Sequence, residues 1–176
     1  MRTYVALLRG INVSGRNVIK MHNLCDALQG AGLENIRSYI QSGNLVFGSQ
    51  INDTMDLASI ISERIKQQFN MEIPVMVLLQ DELFSVKNEN PFILLQIPSH
   101  QLYVSFLEAS PEPDMLALLM KTDFNPDELI VSGKVIYLWC KSGYGKTRLT
   151  NDFFENKLKM RVTTRNWNTI NKLCSM

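Results

Sequence analysis

The chain has 176 residues, 45% of them apolar and 20% charged, with Lys+Arg 18 against Asp+Glu 17 and a net charge of +1. That balance fits a globular protein of one domain or two small ones and excludes the disordered, collagenous and disulfide-scaffold classes. It also argues against nucleic-acid binding through bulk charge and confines any anion site to a local cluster.

Thr3–Arg9 alternates as a strand, and Met21–Ala31 reads as a helix with Leu24, Leu28 and Ala31 on one side. Ile36–Gln41 and Leu45–Phe47 read as strands joined at Ser42-Gly43-Asn44, where glycine supplies the positive φ of a tight hairpin. Asp53–Phe69 is an amphipathic helix, capped by Asn52 or Asp53, with Leu57, Ile60, Ile61 and Ile65 facing inward. Val75–Leu79 is a fourth strand. The order β-α-β-β-α-β is that of a ferredoxin-like split unit.

The second half repeats the order. Leu102–Leu107 is a strand, Asp114–Met120 a helix, and Leu129–Val131 with Val135–Cys140 a hairpin turning at Ser132-Gly133. Thr150–Leu158 is a helix and Met160–Thr163 a last strand. The Ser-Gly pairs at 42 and 132 lie 90 positions apart, and the same offset carries the first helix onto 111–121. The predicted fold is therefore α/β (α+β), a duplicated ferredoxin-like unit plus an extra C-terminal helix. Its expected divisions are 1–80 for the first unit, 81–99 for a connector, 100–164 for the second unit and 165–176 for the helix.

Cys25, Cys140 and Cys174 form no CxxC pair and read as neither a disulfide framework nor a zinc site. His22 and His100 have no metal-ligand spacing to another ligand type, so neither metal nor cofactor is expected. The apolar run Val5–Leu8, ended by Arg9, is too short for a signal peptide, and no segment approaches the ~20 apolar residues of a membrane span. These features predict a soluble cytoplasmic protein with no membrane partner.

Polar residues crowd into four loops: Arg9–Asn17, Gln41–Asn44, Ser142–Thr147 and Thr163–Thr169. Glycine lets backbone N–H groups approach a ligand, and arginine matches phosphate or carboxylate with two parallel hydrogen bonds. The same Asn, Gly and Ser residues also serve as plain turn formers. Gly145-Lys146-Thr147 lacks the earlier glycine of a phosphate loop, because Cys140 stands in its place, and an NTPase is rejected. A weaker possibility is a single anion held by Gly143, Gly145 and the following helix N-terminus.

A different reading uses the second sheet. If helices cover the aliphatic faces, Tyr103, Tyr137 and Trp139 line up on an open face as RNA-stacking aromatics do, although the RNP1 pattern is absent. Packing of the extra helix on that face, through Trp167, Ile170 and Leu173, is the simpler expectation. No nucleophile elbow occurs, and the close acids Asp81-Glu82 and Asp127-Glu128 read as helix-start or turn residues. Nothing nominates a general base, so whether the chain is an enzyme stays open.

Three stretches carry a resemblance: Leu7-Leu8-Arg9-Gly10-Ile11-Asn12-Val13, Tyr39-Ile40-Gln41-Ser42-Gly43-Asn44, and Thr164-Arg165-Asn166-Trp167-Asn168-Thr169 through Lys172-Leu173. They resemble the bacterial domain of unknown function 1697 family, nearly from end to end. The resemblance implies a pair of ferredoxin-like units and supplies neither an assigned activity nor catalytic residues. That family often has Val-Gly-Gly where this chain has Val13-Ser14-Gly15, which weakens any need for close backbone approach at position 14.

The leading expectation is a ligand-binding protein that holds a small anionic, nucleotide-like molecule between its halves. The candidate residues are Arg9, Asn12, Arg16, Gln41, Asn44, Lys146, Arg165, Asn166 and Asn168. The alternatives are an RNA- or single-strand-binding module on the aromatic face, an enzyme of unknown reaction, and polar loops that are purely structural.

Overall fold

A computed structural model describes residues 1–13 and 15–176. Ser14, the departure from the family pattern, lies outside the described residues. Among the described residues there are eight strands and six α-helices: β1 Arg2–Leu8, α1 Met21–Ala27, β2 Leu33–Ser38, β3 Asn44–Ser49, α2 Thr54–Phe69, β4 Val75–Leu79, α3 Gln80–Asn88, β5 Leu102–Leu107, α4 Pro113–Met120, β6 Glu128–Ser132, β7 Val135–Trp139, α5 Asn151–Leu158, β8 Val162–Asn166 and α6 Trp167–Cys174. They form two compact units, Met1–Ser85 with Lys172–Met176 and Val86–Asn171.

Each unit holds one antiparallel four-stranded sheet, ordered β2-β3-β1-β4 in the first and β6-β7-β5-β8 in the second. The same order recurs because the same β-α-β-β-α-β pattern recurs, and the duplication read from the sequence is present in the fold. In the first unit Tyr4, Ala6 and Leu8 of β1 alternate into a core with Leu45 and Phe47 of β3. Leu57, Ile61 and Ile65 of α2 close over it, all fully buried.

The helix starts follow capping chemistry. Asp53 accepts hydrogen bonds from the N–H groups of Met55 (2.7 Å) and Asp56 (3.4 Å), and Asn70 ends α2 in the left-handed conformation. In the second unit Thr150 caps α5 by accepting from the Phe153 N–H at 3.2 Å. The second core gathers Leu107, Leu119, Ile136, Leu138, Phe154 and Leu158.

Several expected boundaries are corrected. The 81–99 segment is not a plain connector, since α3 runs through its first part to Asn88 and a 3-10 turn follows at Ile93–Leu95. Arg165 and Asn166 do not begin the last helix. They are the last residues of β8, paired with Val104 and Tyr103, because β8 continues past the expected end at Thr163. The first hairpin turns through residues 39–43, whereas the second turns through 133–134 alone, so the two Ser-Gly pairs are not in equivalent geometry.

The two copies differ most in loop length. The β1–α1 connection spans twelve residues, 9–20, against five, 108–112, between β5 and α4. Conversely, the β7–α5 connection spans eleven, 140–150, against four, 50–53, between β3 and α2. Because β3 runs antiparallel to β1, these two long loops emerge at opposite ends of the shared unit.

Candidate functional site

The long loop of the first unit is built around Asn12. Its side-chain amide donates to the carbonyls of Ile19 (2.9 Å) and Gln41 (2.7 Å), while its Oδ1 accepts from the Ile19 N–H (2.8 Å). Asn12 has φ +54, a conformation asparagine tolerates better than most residues. Asn17, also left-handed at φ +48, donates from Nδ2 to the Gly10 carbonyl at 3.0 Å. A backbone bond from Asn12 N–H to Asn17 O (3.1 Å) closes the loop neck, and Arg16 N–H bonds to Val13 O across its tip.

Two further segments meet this loop. Leu8 N–H bonds to Gly43 O (2.8 Å) in the β2–β3 turn, and Arg9 N–H bonds to Pro74 O (2.9 Å) ahead of β4. Gly43 is required where it stands. Its φ is +75, and a Cβ there would lie 2.8 Å from Leu8 Cβ and nearer still to Ile11 Cγ2. Asn44 is fully buried, and its Nδ2 donates to Tyr39 O and Ser42 Oγ, both at 3.1 Å. Ile40, a β-branched residue at φ +49 and half exposed, is a strained position held by this turn.

Arg9, Asn12, Arg16, Gln41 and Asn44 are therefore brought together at one end of the first unit, in two distinct roles. Asn12 and Asn44 turn their amides inward to backbone carbonyls and shape the loops. Arg16 and Gln41 are exposed, as is Lys20, and Arg9 is half-buried. Asn17 and the exposed Val13, Val18 and Ile40, none of them among the candidate residues, lie at the same end. Repeated Asn and Gly in the loop signalled its left-handed turns but not which amides point inward.

The other four candidates, Lys146, Arg165, Asn166 and Asn168, belong to the second unit. They sit at the end opposite to the one that corresponds to the first unit's cluster, where the β7–α5 loop and the close of β8 lie. Arg165 is buried, and its Nη1 donates to Thr163 Oγ1 and Thr164 O, both at 2.9 Å. Burial holds its guanidinium down at about 10 against the usual 12.5, partly offset by Tyr144. Asn166 caps α6 by accepting from the Thr169 N–H at 2.8 Å, while Lys146 and Asn168 are exposed.

The anion cradle expected at Gly143 and Gly145 does not take that form. A 3-10 turn, Tyr144–Lys146, intervenes before α5, whose first turn is already capped by Thr150. The Thr147 hydroxyl is already engaged, donating to the Asp127 carboxylate at 2.5 Å. Thr164, named in the last polar loop but not among the candidate residues, takes a structural part. Its hydroxyl donates to Asn151 Oδ1 and meets Ser105 Oγ, each at 2.7 Å, forming a polar chain between β5, β8 and α5.

The aromatic platform is also corrected. Residues directly opposite in an antiparallel pair share a face. Tyr103 stands opposite Leu138, and Val104 stands opposite Tyr137. Tyr103 thus lies on the core face, packed 4.9 Å from Tyr144, while Tyr137 and Trp139 lie on the other face with Leu102, Val104 and Phe106. Tyr137 is 1% exposed, and its hydroxyl bonds to Val86 O. Trp139 bonds through Nε1 to Gln101 Oε1 and packs edge-on against Phe92. The three rings form no common stacking surface.

Among the described residues no group of three His, Cys, Asp or Glu side chains comes together, and no helix is long and apolar enough to cross a membrane.

Comparison with known proteins agrees with this architecture. A solved structure of the conserved bacterial protein SP0830 from Streptococcus pneumoniae superposes with a TM-score of 0.75 at 23% identity, covering 100% of this chain and 98% of that one. At that identity the likeness establishes the fold alone. No curated protein matches. The model of a family described as "Protein of unknown function (DUF1697)" matches residues 1–137, which include the β1–α1 loop and the β2–β3 turn but stop short of the Thr164–Thr169 motif. The chain therefore belongs to the DUF1697 family.

Proposed function

We propose that the loop end of the first unit binds a small anionic ligand, with Arg16 as its principal contact and Arg9, Lys20 and Gln41 beside it. The reading rests on the way the long β1–α1 loop is organised. Its asparagines are spent on backbone carbonyls, so the loop holds its shape without a ligand and presents Arg16 at the tip. Preorganisation of this kind reduces the ordering cost of binding. Arginine at such a position offers two parallel donors to a phosphate or carboxylate.

The test is a thermal-shift and calorimetric screen of inorganic phosphate, nucleotides and small carboxylates against the whole chain. A ligand at about a hundred times its Kd adds roughly 2.7 kcal/mol of stability. Arg16→Ala abolishes that gain and leaves the unliganded stability unchanged. The absence of any stabilising anion, or stabilisation indifferent to Arg16→Ala, refutes the proposal. In that case the loops serve only as scaffold, the role already taken by Asn12, Asn44, Arg165 and Asn166.

A further inference from the structure

An edge strand exposes a row of N–H and C=O groups, and folds generally blunt such edges with bulges, charges or proline. The first unit does this. The pairing of β2 with β3 shifts register between Glu34 and Arg37, Asn35 sits at φ +52 within the shift, and both charged side chains are exposed. The corresponding strand of the second unit, β6, lacks both the register shift and the left-handed residue. It pairs with β7 without interruption, contains no proline, and carries Ile130 half exposed at its centre. Its one charge, Glu128, is paired with Lys141 at 2.9 Å. Among the described residues no strand pairs with the outer side of β6.

The turn fixes which groups face outward. Ser132 and Val135 flank a two-residue turn, so they form a hydrogen-bonded pair. The bond from Leu107 N–H to Lys134 O, on the other side of β7, requires the same phase. Glu128, Ile130 and Ser132 therefore point their backbone groups at β7, and Leu129 and Val131 point theirs outward.

We propose that the outer edge of β6 is a self-association surface, at which two copies of this chain pair antiparallel about Ile130. That register matches Leu129 with the partner's Val131 and Val131 with the partner's Leu129, satisfying all four outward groups of each inner pair. It sets the two Ile130 side chains directly opposite, at the close, non-hydrogen-bonded spacing where apolar pairs contribute most. Glu128 falls opposite the partner's Ser132 and diagonal to the partner's Lys134, so no like charges meet. The strand is thus complementary to itself, which favours a second copy over a foreign peptide. Leu118 and Met120, exposed on α4 just ahead of β6, supply further apolar surface in the same unit. A strand pair of this length buries less than a standard interface, so the dimer is reversible and depends on concentration.

Sedimentation equilibrium of the full chain tests this. The expected result is a monomer–dimer equilibrium whose dissociation constant rises about tenfold for Ile130→Lys and for Ile130→Glu, because like charges then face each other. Mixing those two variants restores association, which general damage to the fold does not. Leu94→Lys, at an apolar residue 89% exposed elsewhere in the unit, leaves the equilibrium unchanged. A chain that stays monomeric at every soluble concentration overturns the proposal. So does a dimer insensitive to Ile130→Lys, or a mixture of the two charge variants that fails to associate.

Discussion

Asn12 gives the sharpest test of how the candidate site is held. Its amide makes three hydrogen bonds, to the Ile19 carbonyl, the Ile19 N–H and the Gln41 carbonyl. Asn12→Gly removes all three and keeps the left-handed backbone unstrained. At about 1 kcal/mol per bond, with the groups near the surface partly resolvated by water, the cost is roughly 2–3 kcal/mol. Asn12→Ala adds about 1 kcal/mol for placing a Cβ at φ +54. Either loss is large against a total stability on the order of 5–15 kcal/mol. Urea denaturation followed by circular dichroism measures both variants, and the difference between them isolates the strain. Native-state hydrogen exchange at the Ile19 amide supplies a local readout, since its acceptor is the deleted Oδ1. If Asn12→Gly costs less than about 0.5 kcal/mol, or the Ile19 amide exchanges at the wild-type rate, Asn12 is not the loop's anchor.

Two other outcomes follow from geometry and burial. Gly43→Ala forces a Cβ into Leu8 and Ile11 at φ +75 and should cost about 3 kcal/mol or more in a thermal melt. Gly15→Ala, at φ +74 with nothing within 4 Å, carries only the roughly 1–2 kcal/mol of backbone strain. Burial pushes the Cys140 thiol up from 9.0 to about 12 and the Tyr137 hydroxyl up from 10.0 to about 12. Both groups stay neutral in the fold while the unfolded chain ionises, so their contribution is complete below pH 9.0 and is lost as the pH rises toward 12. Denaturation midpoints measured across that range should fall, less steeply for Cys140→Ala; a midpoint flat in pH would contradict the assigned burial.

The elements with strong period were legible because each satisfies a local rule. Leu57, Ile61 and Ile65 recur at helical spacing, and Asp53 precedes them as a cap. The offset near 90 between halves exposed the duplication even though the halves share little sequence. What the sequence did not convey was pairing. Tyr103 and Tyr137 each alternate correctly along their own strands, yet which faces match is decided by register across the sheet, and a strand carries no record of its partner's phase. The sequence reading starts the last helix at Arg165, whereas in the fold Asn166 both ends β8 and caps α6 through the Thr169 N–H. The strand runs right up to that cap, so both assignments meet at one residue. In the loops, residue type did not separate Asn12, which props up the loop, from Arg16, which is displayed by it.

A repeated unit ordinarily offers each of its surfaces twice. Here the twelve-residue loop leaves one end of the first copy, and the eleven-residue loop leaves the other end of the second. No rotation that lays one half on the other can superpose these two loops, so the copies have been elaborated in opposite senses. A ligand bound at the β1–α1 loop, as proposed above, would therefore be met once per polypeptide, and its titration should end at a single equivalent per chain. A designed fusion of two second halves would repeat the scaffold without carrying the β1–α1 loop at all.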